Sequence, residues 1–413
     1  KMNLTAEFWY WFFIGLILFN YVFSNILELI NSKNWKTHIP DEVKDFYDEK
    51  KYNKAREYKI ETGRISFFSG TISFLISFGL IWFKGYGYIS NYIDLNFNSA
   101  FIKTSVFFLF FYLINFIISI PFSYYSTFYI EEKYGFNKTT IKTFILDKIK
   151  SVALSFLIGG TLIFLAMLVL DLFEKGYWLY LWIGLSAFVV FLNMFYAQLI
   201  VPIFNKLTPL DNGLLREKIE KYADKVGYSL KNIFVIDGSK RSTKANAFFS
   251  GLGPKKTIAL YDTLIEKHSD EELVAVLAHE VGHFKKKHIL LTLIISIIQL
   301  GLMSYLFEVC MSYNNIAEAL GSSEMNFHIG LIAFSFVFSP IGLIIGIFLN
   351  ILSRKNEFEA DDYAKTTYDG NALQLALKKL SVDTLSNLYP HPLYVFVHYS
   401  HPPLIKRLSN LKS

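Results

Sequence analysis

His279-Glu280-Val281-Gly282-His283-Phe284-Lys285-Lys286-Lys287-His288-Ile289 decides how this chain is read. Its first five residues spell H-E-x-x-H. They follow Asp270 to Ala278, a segment with helical apolar spacing and acids in its first turn. On a helix, positions i and i+4 share a face, so the imidazoles of His279 and His283 can point at one ion. Glu280 can then reach a water on that ion as a general base. The plain alternative is a buried helix with two incidental histidines. Three fixed residues, two of them scarce His, arise by chance in a chain this long only about once in a hundred cases. His288 lies at about 140° from His283 on a helical wheel, which makes it a poor ligand and a marker of the membrane interface. From Ile289 the residues turn apolar for the length of a bilayer span, so the motif stands at the mouth of a membrane helix.

The whole chain agrees with that setting. It has 413 residues, 53% of them hydrophobic and 41 of them Phe, the composition of an integral membrane protein. The net charge of +6 has no nucleic-acid module to go with it and follows instead from a bias in where the charges sit. The single cysteine, Cys310, excludes an intrachain disulfide and a cysteine-based zinc site, and its apolar surroundings suit packing.

Outward from the motif, seven apolar runs are long enough to span: 8–30, 66–89, 104–125, 152–173, 177–204, 289–311 and 328–352. Pro121 should kink or stop the third, and Pro340 stands within the seventh. The charged stretch 31–65 reads as a solvated helix or loop. The domains follow: 1–204 with five spans and loops 31–65 and 126–151; 205–288, soluble in composition, with the motif helix; 289–352 with two spans; and the tail 353–413. Within 205–288, Leu214 to Val226 reads as an amphipathic helix, and Ile233–Ile236 and Thr257–Tyr261 as strands. Segments 31–65, 126–151, 205–288 and 353–413 hold 37 of the 41 Lys and Arg. By the positive-inside rule these segments are cytoplasmic and the N-terminus is outside.

A hydrolytic zinc site has three protein ligands plus water, so a third ligand is needed. Ser353-Arg354-Lys355-Asn356-Glu357-Phe358-Glu359-Ala360-Asp361 follows the seventh span on the same side. Glu357 and Asp361 are i and i+4, so one can bind the metal while the other orients a ligand histidine; an ordinary acidic helix start has the same spacing. In the tail, His401 precedes two prolines and Arg407 follows one or two turns on. Either a surface turn or a cationic donor to an oxyanion fits. Asn246-Ala247-Phe248-Phe249 can form an edge strand that offers backbone hydrogen bonds to an extended peptide. His38, His268, His328, His391 and His398 have no ligand-like spacing.

Several ordered motifs together resemble the type I CAAX prenyl endopeptidases, integral-membrane zinc metalloproteases. They are the Thr127–Lys138 run with Ile130-Glu131-Glu132 and Gly135-Phe136-Asn137, the Phe204–Leu210 exit from the fifth span, Gly238–Ser242, and Asn246-Ala247-Phe248. The H-E-x-x-H helix, Glu357 with Asp361, and His398–Pro403 complete the set. The resemblance implies an all-α membrane fold. Seven helices form a barrel around a water-filled chamber, and a cytoplasmic zincin-like α+β domain caps it. It implies one Zn2+ per chain, bound by His279, His283 and Glu357, with Glu280 as general base and Asp361 behind the ligands. His401 and Arg407 would contact the substrate and the developing oxyanion, and Asn246, Ala247 and Phe248 the substrate backbone. The implied partners are a peptide or protein substrate, prenylated or not, and the lipid bilayer; no nucleic acid is expected, and the oligomeric state is left open.

Three departures from eukaryotic members suggest a prokaryotic one in a bacterial inner membrane: Lys244-Ala245 where some have His-Ser, no charged insert before the motif helix, and no retrieval signal at Leu411-Lys412-Ser413. Two other readings compete. One is a quality-control protease resembling HtpX. The other is a channel or transporter with a structural zinc site, which the three-ligand set with a base argues against.

Overall fold

The computed structural model describes residues 4–230, 232–250 and 257–412, with the side chains of Phe248 and Ser250 outside the description. The first half is helical: α1 (Ala6–Lys33), α2 (Glu49–Trp82), α3 (Gly85–Asn96), α4 (Ala100–Tyr125), α5 (Ile141–Leu172), α6 (Tyr177–Leu199) and α7 (Val201–Phe204). Next come β1 (Leu207–Pro209), α8 (Leu214–Lys225), β2 (Asn232–Ile236), β3 (Ala247–Ser250), β4 (Thr257–Tyr261), α9 (Asp262–Lys267) and α10 (Asp270–Lys285). The chain finishes with α11 (His288–Met311), α12 (Asn314–Ala319), α13 (Phe327–Thr367), α14 (Gly370–Asp383), α15 (Pro392–His398) and α16 (Leu404–Lys412).

Seven of these helices are long and apolar enough to cross a bilayer: α1, α2, α4, α5, α6, α11 and α13. Contacts run α1–α2–α4–α5–α6–α11–α13 and from α13 back to α1, which closes a ring. Only 6–17% of each span's most apolar window is buried. A filled seven-helix bundle would bury far more, so the ring is hollow and the helices have two open faces. Polar side chains in the spans, such as Asn193 and Asn350, can therefore meet a wet interior rather than hydrocarbon.

One sequence expectation needs correction here, and another is narrowed. The second span does not reach residue 89. It ends at Trp82, because Lys84 adopts a left-handed conformation (φ 53°) and starts α3 in a new direction. Gly87 then lies so close to the Gly321–Ser322 backbone that a Cβ there would meet it at 1.9–2.1 Å. Of the kink or stop expected at Pro121, the stop is excluded. The helix passes it to Tyr125 and continues as a π-helix over Ser126–Glu131. The charged residues 49–65 form the first half of the continuous helix α2.

Glu308, near the end of α11, accepts hydrogen bonds from the Gly176 and Trp178 amides, both at 2.8 Å. These are orphan donors at the start of α6, so the carboxylate acts as a cap supplied from another helix. Glu308→Ala should cost roughly 0.5–2 kcal/mol. A lowered unfolding midpoint in detergent with unchanged metal affinity is the expected result.

The soluble part has a sheet of order β1-β2-β4-β3, with β2 and β4 parallel and both outer pairs antiparallel. β3 is an edge strand, as the Asn246–Phe249 pattern suggested. Behind the sheet, α10 packs with α8 and α14, and α16 packs on α14; Ile219, Leu273, Val274, Leu277, Leu373 and Leu411 share one core. Ser269 and Glu272 cap α10 reciprocally, so this helix starts firmly. The loop before β3 is tied to the membrane helices. Arg241 donates to both oxygens of Asp147 on α5 at 2.7 and 2.9 Å. Lys244 donates to Tyr58 Oη at 2.9 Å and Glu131 Oε2 at 2.8 Å.

Candidate metal centre

Two helices build the centre. α10 carries His279, Glu280 and His283, and α13 runs unbroken from its membrane half through Glu357 and Asp361. These helices pack directly together. Gly282 allows the approach, since a Cβ there would lie 3.1 Å from the Ala360 Cα and 3.2 Å from its carbonyl oxygen.

One ligand atom each from His279, His283 and Glu357 lies within 4.8 Å of the others. The two Nε2 atoms are 3.1 Å apart. His279 Nε2 lies 3.4 Å from Glu357 Oε2, and His283 Nε2 lies 3.3 Å from Glu357 Oε1. Glu357 Oε2 is buried and has no well-formed hydrogen bond among the described residues. A buried carboxylate oxygen without one is costly. Two facing imidazole nitrogens and that oxygen are an incomplete hydrogen-bond set but a suitable donor set for a divalent metal. The residues therefore fit an ion.

The other nitrogen of His279, Nδ1, meets Asp361 Oδ1 at 2.8 Å. Arg407 donates to both oxygens of Asp361, at 2.8 Å from Nε and 2.6 Å from Nη2, and its Nη1 stands 3.3 Å from Glu357 Oε2. Asp361 is fully buried. Burial disfavours the His279 imidazolium, but hydrogen bonds to Asp361 and Glu357 outweigh it and hold its pKa at about 9. Asp361→Ala would strip the nearly buried Arg407 cation of both its hydrogen-bonded carboxylate oxygens and leave it only the looser ion pair with Glu357. We expect a loss of roughly 3–5 kcal/mol in stability, read as a large fall in unfolding midpoint, with Asp361→Asn falling less.

Glu280 is half-buried, one residue from His279. His401 is 65% exposed, and its Nε2 lies 3.4 Å from Glu357 Oε1. Its loop is held by Arg354 of α13, which donates to the Val395 and Tyr399 carbonyls. A cavity of about 290 Å³ touches His401, Arg407 and Lys59, and a second of about 540 Å³ between α1 and α2 shares Lys59, Asn387 and Tyr399 with it. The centre thus opens onto connected space that reaches α1 and α2.

The structure brings together His279, Glu280, His283, Glu357, Asp361, His401 and Arg407. It ties Arg407 to Asp361 more than an oxyanion role requires. Asn246 and Ala247 lie at the sheet edge, with no hydrogen bond or ion pair to the cluster among the described residues. Asn246 is exposed and accepts from Tyr261 N at 3.1 Å through its carbonyl, and of Phe248 only the backbone is described. His288 stays outside the candidate ligand group, but the wheel angle does not describe where it lies. It is 5% exposed, and its Nδ1 lies 3.1 Å from His283 Nδ1. The wheel angle assumed one continuous helix, but α10 ends at Lys285 and Lys287 turns left-handed (φ 61°). The break swings His288 back onto His283. The three-lysine run before it was a signal of a helix end, though not of that geometry.

Comparisons with known proteins match two family models. Residues 28–206 match the CAAX prenyl protease N-terminal model of five membrane helices, and residues 209–413 match peptidase family M48. The chain is 34% identical to CAAX prenyl protease 1 homolog of Oryza sativa, over 95% of this chain and 94% of that protein. It is 33% identical to CAAX prenyl protease 1 of Saccharomyces cerevisiae, over 91% and 89%. The crystal structure of S. mikatae Ste24p is similar with a TM-score of 0.92 and 32% identity, covering 98% of this chain and 99% of that one.

Proposed function

The chain belongs to the CAAX prenyl protease group of peptidase family M48 and is a multi-pass membrane metalloendopeptidase; on that premise we propose that it binds one zinc ion through His279, His283 and Glu357 and cleaves prenylated proteins near their C-terminus. The observation that carries the site assignment is the convergence of two Nε2 atoms and a buried carboxylate within 4.8 Å, one residue from Glu280. The relatives' names, CAAX prenyl protease, support the substrate class. A C-a-a-X terminus is prenylated on its cysteine, so the scissile region lies beside a lipid.

Zinc would acidify a water and polarise the scissile carbonyl. The chain's own groups do the rest. Glu280 takes the water's proton and delivers it to the leaving amine. His401, exposed and hydrogen-bonded through Nδ1 to Ser400, holds Nε2 3.4 Å from Glu357 Oε1 at the edge of the ligand set, within reach of the oxyanion. Arg407 acts chiefly on the metal side, holding Asp361 against His279. The edge strand Ala247–Ser250, with Asn246 before it, lines up the extended peptide backbone. The prenyl chain lies toward the hollow ring.

The distribution of Lys and Arg supports a cytoplasmic catalytic domain with the N-terminus outside. A reporter fused to the C-terminus and found on the exterior would overturn that orientation. The relatives named above are eukaryotic, so a bacterial inner membrane rests on departures such as Lys244-Ala245 alone. Zinc content and rates on a farnesylated C-a-a-X peptide and its unmodified twin test the reading. About one zinc per chain and faster cleavage of the farnesylated peptide are expected; equal rates remove prenyl recognition. Because the His279 pKa stands at about 9, zinc must displace a proton below that pH, so its affinity should rise with pH toward 9. A flat affinity between pH 6 and 8 would mean that His279 carries no proton to displace in this range.

A further inference from the structure

A histidine that binds metal through one nitrogen needs a hydrogen-bond partner on the other. That partner fixes the tautomer, aims the ring and raises its basicity. His279 has Asp361 for this purpose. His283 has no carboxylate on Nδ1. Its Nδ1 faces His288 Nδ1 at 3.1 Å, and His288 Nε2 faces Glu359 Oε2 at 3.1 Å. The two rings stand at 71° with centroids 5.2 Å apart.

Only one placement of protons satisfies this chain when His283 offers a bare Nε2 to an ion. The His283 proton must sit on Nδ1 and donate to His288 Nδ1, which must itself be bare. The His288 proton then sits on Nε2 and donates to the Glu359 carboxylate. Each nitrogen and the carboxylate oxygen has one role, and none is left over. Accepting the assignment of His279, His283 and Glu357 as metal ligands, we propose that His288 and Glu359 are positioning residues that lock His283 in its metal-binding tautomer and orientation. The helix α13 then supplies three carboxylates to one centre: Glu357 at the ion, Asp361 behind His279, and Glu359 behind His283 through His288.

The left-handed Lys287 is what makes this possible, since it interrupts α10 and starts α11 with His288 beside His283. A purely packing role for His288 would require neither of its nitrogens to be placed. Both are, and the ring is 5% exposed with its polar ends spoken for.

The test uses the full-length protein in detergent, stripped with a chelator and titrated with zinc against a competing fluorescent chelator. His288→Leu should weaken zinc binding about 10–100-fold and lower kcat more than it changes KM. His288→Gln places an amide oxygen where it can accept from His283 Nδ1 and should recover most of that loss. Glu359→Gln should weaken zinc in the same direction but less. The visible spectrum of the cobalt-substituted protein should shift in His288→Leu and return toward wild type in His288→Gln. A His288→Leu protein that elutes as wild type and binds zinc within twofold of it overturns the proposal, as does a His288→Gln protein no better than His288→Leu. If His288→Leu does not fold, wild-type affinity in Glu359→Gln overturns the relay. Failure of the wild type to bind zinc would instead bring down the ligand assignment on which this rests.

Discussion

Glu280→Gln should keep about one zinc per chain and lose peptide hydrolysis by a factor on the order of 10²–10⁴, the usual contribution of a placed general base. The substitution is nearly isosteric and removes only the ability to take a proton. Among the described residues, no hydrogen bond or ion pair holds the Glu280 carboxylate, so replacing it breaks no structural contact. The three proposed metal ligands are other side chains and keep their partners, His279 with Asp361 and Glu357 with Arg407. The expected signature is therefore a fall in kcat with KM and zinc affinity nearly unchanged, which marks an interaction made in the transition state. A mutant as fast as wild type would remove Glu280 from the mechanism. A mutant that loses its zinc would make Glu280 a structural residue.

That experiment separates two things the sequence alone ran together, the presence of a metal and its use in catalysis. H-E-x-x-H was legible because its chemistry is local: two imidazoles one helical turn apart and a carboxylate next to the first. The spans were legible because apolar length is also local. Glu357 was a candidate from its spacing with Asp361, yet which of the two faces the ion depends on how α13 rotates against α10. No periodicity within either helix carries that information. The same holds for Arg407. The sequence offered a cation after a Pro-Pro turn, and the fold turned it onto Asp361 as a bidentate partner. The position of His288 beside His283 was hidden for a different reason. Wheel geometry applies only while the helix continues, and a single left-handed residue, Lys287, ended it. The break of the second span at Lys84 was missed in the same way. Left-handed lysines carry no sequence mark of the kind that glycine gives.

Gly282→Leu should therefore be nearly as damaging as removing a catalytic group, although Gly282 touches neither metal nor substrate. A Cβ at this position would sit 3.1 Å from the Ala360 Cα, 3.1 Å from the Tyr363 Cβ and 3.2 Å from the Ala360 carbonyl oxygen. Two of these three are backbone atoms of α13, which cannot rotate away as a side-chain end can. A single methyl needs the helices to part by a few tenths of an ångström, and an isobutyl group needs more. Ala360 lies one turn after Glu357 and next to Asp361, so any parting of α10 from α13 at this point moves both carboxylates away from His279 and His283. A misplacement of about 1 Å costs on the order of 10²-fold in rate. The expected order for kcat and for zinc affinity alike is wild type, then Gly282→Ala, then Gly282→Leu. Wild-type zinc binding in Gly282→Leu would mean that the helices can separate without opening the site. The third ligand would then be held by the soluble tail rather than by the span. If the order holds, the long helix α13, anchored in the membrane along its first half, sets the spacing of the metal ligands, and the ring of spans forms part of the catalytic centre.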